Sequence, residues 1–153
     1  MTAIAYLPKQ YDTFIGIDVD KNSFSFTVGD HNSMIRSKKV PSNPEHFHNY
    51  IQNDYGHSKV LCAYEAGPTG FYLHDYLTKK EIPCFVVAPN SIPKASNDRV
   101  KTNRIDSRKI MEHLKSGKLK PVRVPQGAYR ELRYLISTRE TYASLQKATK
   151  QRI

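Results

Sequence analysis

From residue 13 to residue 29 the chain alternates apolar and polar positions. Phe14, Ile15 and Ile17 precede a polar break at Asp20-Lys21-Asn22, and Phe24, Phe26 and Val28 follow it. A period of two sends successive side chains to opposite faces of a strand, so this segment predicts two strands and a tight turn. A third strand is predicted over 34–40, completing an antiparallel meander. Pro41-Ser42-Asn43-Pro44 then opens a helix. Asn43 can accept a hydrogen bond from an unpaired amide of the first turn, and Pro44 suits the first helical position. Phe47, Tyr50 and Ile51 share the side to be buried.

The second half changes rhythm. A short apolar run over 60–64 ends at Glu65 and the turn Ala66-Gly67-Pro68-Thr69-Gly70, followed by a helix over 71–80 and a strand over 84–88. Strand alternating with helix predicts parallel strands, and so a mixed α/β sheet. From residue 91 the pattern is helical and basic, with Ile105, Ile110, Met111 and Leu114 as the inward side and Gly117 as the stop. Residues 118–127 read as an extended linker. The last segment, 128–153, carries Leu132, Leu135, Ile136, Tyr142 and Leu145 at three- and four-residue spacings. It shows no stop signal and reads as the basic start of a coiled coil, cut within the helix, whose partner is absent or supplied by a second subunit. The expected organisation is a loose arm over 1–12, an α/β domain over 13–117, a linker over 118–127 and this helix.

Charge sharpens the picture. Residues 1–93 hold eight Lys and Arg against nine Asp and Glu, whereas residues 94–153 hold sixteen against five. A segment with net charge +11 favours a polyanion, because each neutralised phosphate releases condensed counterions; the plainer alternative is a solvated basic helix. No apolar run is long enough to span a bilayer and no signal peptide opens the chain, so a cytoplasmic protein with no membrane partner is expected. Cys62 and Cys84 lie in apolar strands, where a packed reduced thiol is the expectation.

Three acids then carry the candidate chemistry. Asp18 ends the apolar strand TFIGIDVD, Glu65 ends VLCAYEAG, and Asp106 sits in the basic stretch DRVKTNRIDSRKI. A carboxylate in an apolar strand costs several kcal/mol, as an order of magnitude, unless it is paired, hydrogen-bonded or bound to metal. Strand-end capping for Asp18, a salt bridge for Glu65 and a surface ion pair for Asp106 are the structural alternatives. Asn103, three residues before Asp106, shares its helical face, and Lys101, Arg104, Arg108 and Lys109 surround the two. Gathered by a fold, the three acids would form an acidic pocket ringed by cations, suited to holding Mg²⁺ or Mn²⁺ against a nucleic-acid phosphate. Arg130 and Arg133, beside Tyr129 and Tyr134 on the last helix, are further candidates for nucleic-acid contact. The six histidines show no ligand-like spacing, and the turn after Glu65 lacks the Lys of a phosphate-binding loop.

FIGIDVDKNSFSF, YEAGPTGFYLHDYL, VAPNSIPKASNDRVKTNRIDSRKI, LKSGKLKPVRVP and RELRYLISTRE together resemble one family from about Phe14 onward. The chain is similar to the N-terminal domain of the DEDD transposases of the insertion-sequence-110 family and to the related pilin gene-inverting recombinase. The resemblance implies an RNase H-like, RuvC-like fold and metal-dependent DNA strand cleavage and exchange. It sets Asp18, Glu65 and Asp106 on the first, second and fourth acids of the DEDD set, and Asn103 on the third. Asn103 would remove one negative charge from the site; Asp98 is an alternative donor. The resemblance also implies a longer protein whose C-terminal domain carries a nucleophilic serine. It implies DNA as partner and a structured guide RNA as a second one, while the unpartnered stripe of the last helix leads to the expectation of a homo-oligomer through residues 128–153. Two readings stay open beside the enzyme: a nucleic-acid-binding and assembly module with a degenerate metal site, and, ranked last, an actin-like or sugar-kinase-like ATPase.

Overall fold

A computed structural model of the chain describes residues 6–89 and 103–151, the side chains of 103–105 excepted. Two compact units divide the chain, one through Arg123 and one from Val124.

The first unit is built on a five-stranded sheet. Its strands are β1 (Thr13–Val19), β2 (Ser23–Gly29), β3 (Met34–Pro41), β4 (Val60–Glu65) and β5 (Cys84–Val87). Three helices belong with them: α1 (Pro44–Tyr55), α2 (Tyr72–Lys79) and α3 (Asn103–Lys115). The strand order is β3-β2-β1-β4-β5. The first three strands run antiparallel, while β4 and β5 run parallel to β1 and to each other. This is the mixed RNase H-like arrangement, with the central strand β1 flanked by one antiparallel and one parallel neighbour.

The meander and the helix start form as the pattern predicts. Asp20 caps its turn by accepting from the Lys21 amide at 2.7 Å, and Asn43 accepts from the His46 amide at 3.0 Å to cap α1. On one face of the sheet Phe24 and Phe26 from β2 meet Phe47 and Tyr50 of α1, with ring centroids 5.0 Å apart for Phe26 and each partner. Leu73 and Leu77 of α2 are also fully buried. On the opposite face Phe14, Leu61, Ala63 and Val87 form a second core with Ile110, Met111 and Leu114 of α3. Each large side chain so buried contributes about 1.5–3 kcal/mol.

Two segments that look loose in the sequence are docked. The ring of Tyr6 lies 5.1 Å from that of Phe85, and its hydroxyl donates to the Leu114 carbonyl at 2.9 Å. In the stretch after α3 Leu119 is buried, and the Val122 amide donates to the Val86 carbonyl at 2.8 Å beside a bridge between Val87 and Pro121. The cause is the edge of β5, whose backbone groups need partners. The Ser91–Thr102 part of the predicted basic helix lies outside the described residues.

The second unit is carried by α4 (Ala128–Lys150). Arg130 Nε donates to the Pro125 carbonyl at 2.8 Å near its start. The predicted stripe is on the helix and open to solvent: Leu132, Leu135 and Leu145 are 51%, 68% and 58% exposed. Among the described residues no helix is long and apolar enough to cross a membrane.

Gly16, in the middle of β1, is where α3 comes down on the sheet. A Cβ there would collide with the Ser107 carbonyl oxygen and the Met111 amide nitrogen, both backbone atoms that no side-chain rotation can move. Gly16→Ala is therefore expected to destabilise the domain by about 3 kcal/mol or more, at the upper end of overpacking costs. Gly67→Ala, where a Cβ meets nothing within 4 Å, is expected to be near neutral. Urea unfolding of the two variants checks the contrast.

Candidate active site

The candidate site is assembled by register. β1 and β4 run parallel with Ile17 opposite Tyr64, so Asp18 and Glu65 are the next pair along the two strands. β1 and β2 run antiparallel with Asp18 opposite Ser25, and Ser25 is opposite Lys39 on β3. One row therefore crosses four strands in the order Glu65, Asp18, Ser25, Lys39. The period of two puts this row on the face of Phe14, Gly16, Leu61 and Ala63, the face that α3 covers. Asp18 is half-buried and Glu65 exposed, both at the carboxyl ends of parallel strands, where α/β folds open their sites.

α3 is fixed over the neighbouring row. Thr27 Oγ1 lies 2.9 Å from Ser107 Oγ and 2.9 Å from Ser37 Oγ, a hydroxyl chain joining β3, β2 and α3. Both Thr27 and Ser107 are fully buried. One helical turn on, Met111 approaches Gly16 and Gly29. Gly16 precedes Asp18 on β1, and Gly29 lies beyond Thr27 at the other end of β2. The helix thus runs with its first turn, which carries Asp106, toward the row of Asp18 and Glu65.

Asp18 and Glu65 thus come to one end of one face, and the helix turn that carries Asp106 lies toward that end. Hard carboxylate oxygens in this number suit a small divalent cation in kind. Among the described residues, however, no three His, Cys, Asp or Glu side chains stand close enough to hold one ion together. Asp18 and Glu65 also engage in other interactions in the folded chain. Asn103 and Arg104 are described only as helical backbone, and Lys101 and Asp98 lie outside the described residues. Of the candidate cations, Arg108 is bound at 2.8 Å to Glu112 one turn along α3, and Lys109 is partly buried and engaged. Arg130 and Arg133 belong to the second unit. Burial pushes both Cys62 and Cys84 thiols well up, so neither offers a thiolate.

Sequence reasoning missed Gly16, Ser25, Thr27, Ser107 and Lys39. The alternate residues Ser23, Ser25, Thr27 and Gly29 are small and mostly polar, yet buried. Their size was the available signal, because a helix can approach a sheet closely only over small side chains.

Residues 15–153 match the sequence profile of the DEDD transposases of the insertion sequence IS110 group, described as Transposase. The chain belongs to the IS110 DEDD transposase family. A Sinorhizobium fredii protein, y4qE, named as a transposase, is 32% identical over 146 residues, which is 93% of this chain and 37% of that protein. The transposase for insertion sequence element IS1533 of Leptospira borgpetersenii is 27% identical over 109 residues, 69% of this chain and 32% of that protein. The chain thus spans about a third of the length of these relatives. Among solved structures, Thermus thermophilus RuvC in complex with a Holliday junction substrate aligns with a TM-score of 0.46 at 10% identity, over 72% of this chain and 99% of that one. Another Thermus thermophilus RuvC structure gives 0.47 at 12%, with the same coverage. Within this IS110-family domain the RNase H-like assignment follows from strand order and direction.

The hydroxyl chain ties the first turn of α3 to the sheet, and breaking it should loosen that turn. Thr27→Val keeps the shape and removes one hydrogen bond each from the Ser107 and Ser37 hydroxyls, so a loss of about 1 kcal/mol or somewhat more is expected. Hydrogen exchange read over residues 106–115 is expected to quicken, and unchanged exchange there would show that the hydroxyls do not anchor the helix.

Proposed function

We propose that this chain is the acidic catalytic domain of a DNA transposase or recombinase, in which Asp18, Glu65, Asp106 and the side-chain oxygen of Asn103 hold Mg²⁺ or Mn²⁺. The observation that carries the reading is the row formed by Asp18 and Glu65 at the carboxyl ends of neighbouring parallel strands, under the end of α3 that bears Asp106. Membership of the IS110 family supports it independently. A bound divalent ion would polarise the scissile phosphate and stabilise charge on the attacking and leaving oxygens.

The chain's own residues have separate tasks. Asp18 and Glu65 offer fixed carboxylates from a rigid sheet, which limits the reorganisation needed when charge develops. Asp106 would add a ligand from the first turn of the helix. Asn103 gives a neutral donor where the family has an acid, so the site carries one negative charge fewer and binds the ion more weakly. Lys101, Arg104, Arg108 and Lys109 would hold the flanking nucleic-acid backbone, and Arg130 and Arg133 of the second unit are separate candidates for backbone contact; such cations position a strand without reading its sequence. Strand cleavage and exchange belong to the full-length protein, to which a structured guide RNA and self-association through residues 128–153 are assigned as further features.

The absence of a three-ligand cluster among the described residues, together with Asn103, favours a second reading, a nucleic-acid-binding and assembly module whose metal site is degenerate. Calorimetric titration of Mn²⁺ separates the two. The enzyme reading predicts binding that disappears in Asp18→Ala and tightens on the order of tenfold in Asn103→Asp, because affinity rises with ligand charge. DNA binding that depends on salt alone, with no response to Mn²⁺ in any of the three proteins, would establish the module instead.

A further inference from the structure

β3 carries three basic residues, and the sheet sends them to two different faces. Val28 lies opposite Arg36 and Phe26 opposite Lys38, so both cations stand on the α1 side. They are occupied there: Arg36 lies 3.5 Å from Asp54, and Lys38 Nζ sits 4.5 Å over the Tyr50 ring. The alternate positions face α3, as the contact of Ser37 Oγ with Thr27 Oγ1 at 2.9 Å demonstrates. Lys39, two residues on from Ser37, is therefore the basic residue of β3 on the side of Asp18 and Glu65. It is exposed and, among the described residues, makes no ion pair.

Its position in the row is the informative part. Lys39 is opposite Ser25, and Ser25 is opposite Asp18, so Lys39 lies two strand spacings from Asp18, roughly 9–10 Å across the sheet. Ser25, small and buried, is the residue between them and leaves the surface low. A phosphate held over Asp18 and Glu65 belongs to a polyanion whose neighbouring phosphates also need cations. Of the cations recognised from the sequence, Arg108 and Lys109 are described with their side chains in this unit, and both belong to α3. On the sheet side, toward β3, Lys39 is the cation in line.

We propose that Lys39 is a phosphate-binding residue that receives the nucleic-acid strand on the β3 side of the acidic pair. The strand would then lie along the row from Glu65 to Lys39, across the β strands. This rests on the reading of Asp18 and Glu65 as the site of DNA chemistry. The side chain acts as a point charge on a flexible stem, so its contribution is affinity and path, without base recognition.

The test is fluorescence anisotropy of a 5′-labelled DNA oligonucleotide with the wild-type chain and with Lys39→Gln, Lys39→Arg, Lys38→Gln and Asp18→Ala, in Ca²⁺ and over a range of salt. Lys39→Gln is expected to weaken binding about fivefold and lower the salt slope by about one, the signature of one lost phosphate contact. Lys39→Arg should retain affinity, and Lys38→Gln, on the other face, should change it less than about twofold by loss of general charge alone. Wild-type affinity in Lys39→Gln, or an equal loss in Lys38→Gln, would overturn the proposal. If in that case Ca²⁺-dependent binding is still lost in Asp18→Ala, the assignment of the acidic site survives. A wild-type chain that binds no DNA would remove both.

Discussion

The contact between a glycine in the middle of the central strand and the backbone of a helix governs what this domain can do. With no side chain at Gly16, Ser107 and Met111 come to van der Waals distance of β1, and the hydroxyls of Thr27 and Ser107 close the gap with a buried hydrogen bond. A helix seated so closely cannot slide or rotate by a residue without steric overlap, since packed interiors tolerate little volume change. Its first turn is consequently delivered to the end of the sheet where Asp18 and Glu65 emerge. Asp18 and Glu65 are set side by side by register, and direct attraction between them plays no part; carboxylates left alone would repel.

This explains which parts of the fold were legible. Alternation of Ile15, Ile17 and Phe24, Phe26, Val28 disclosed β1 and β2 because the face toward α1 is strongly apolar. The Asn-Pro pair at residues 43 and 44 marked α1 because capping is a local matter. The other face of β2 was opaque. Ser23, Ser25, Thr27 and Gly29 are all buried, yet their polarity imitates a solvent face. Pairing partners distant in sequence are likewise invisible to local pattern, which is why Ser25 and Lys39 were not connected to Asp18. The docking of Tyr6 and of residues 119–122 onto the sheet depends on the needs of the β5 edge, which a local pattern does not encode.

For the site, the acids were readable and their surroundings were not. Asp18 and Glu65 stood out as ionised groups closing apolar strands, a costly placement that invites a partner. Basic composition gave the sign of the field around them but could not separate cations free for a phosphate from those already spent. Arg108 turns to Glu112, and Arg36 to Asp54. Exposed pairs of this kind contribute little stability, so a phosphate can compete for them. Lys39, in contrast, requires no such exchange. α4 presents the complementary case: its periodic apolar residues were legible, while their exposure in the folded chain shows that periodicity alone does not say what covers a stripe.

Whether the row and the helix turn together make one ion site is open to direct measurement. Mn²⁺ titrated into the isotopically labelled chain, with DNA present, broadens amide resonances within a limited radius of the ion. A site of the kind described predicts broadening concentrated at Asp18, Val19, Glu65, Ala66 and the amides of 103–107, from three segments far apart in sequence, and its disappearance in Asp18→Ala. Broadening spread over the surface, or centred on any other cluster of acids and unaffected by Asp18→Ala, would contradict it.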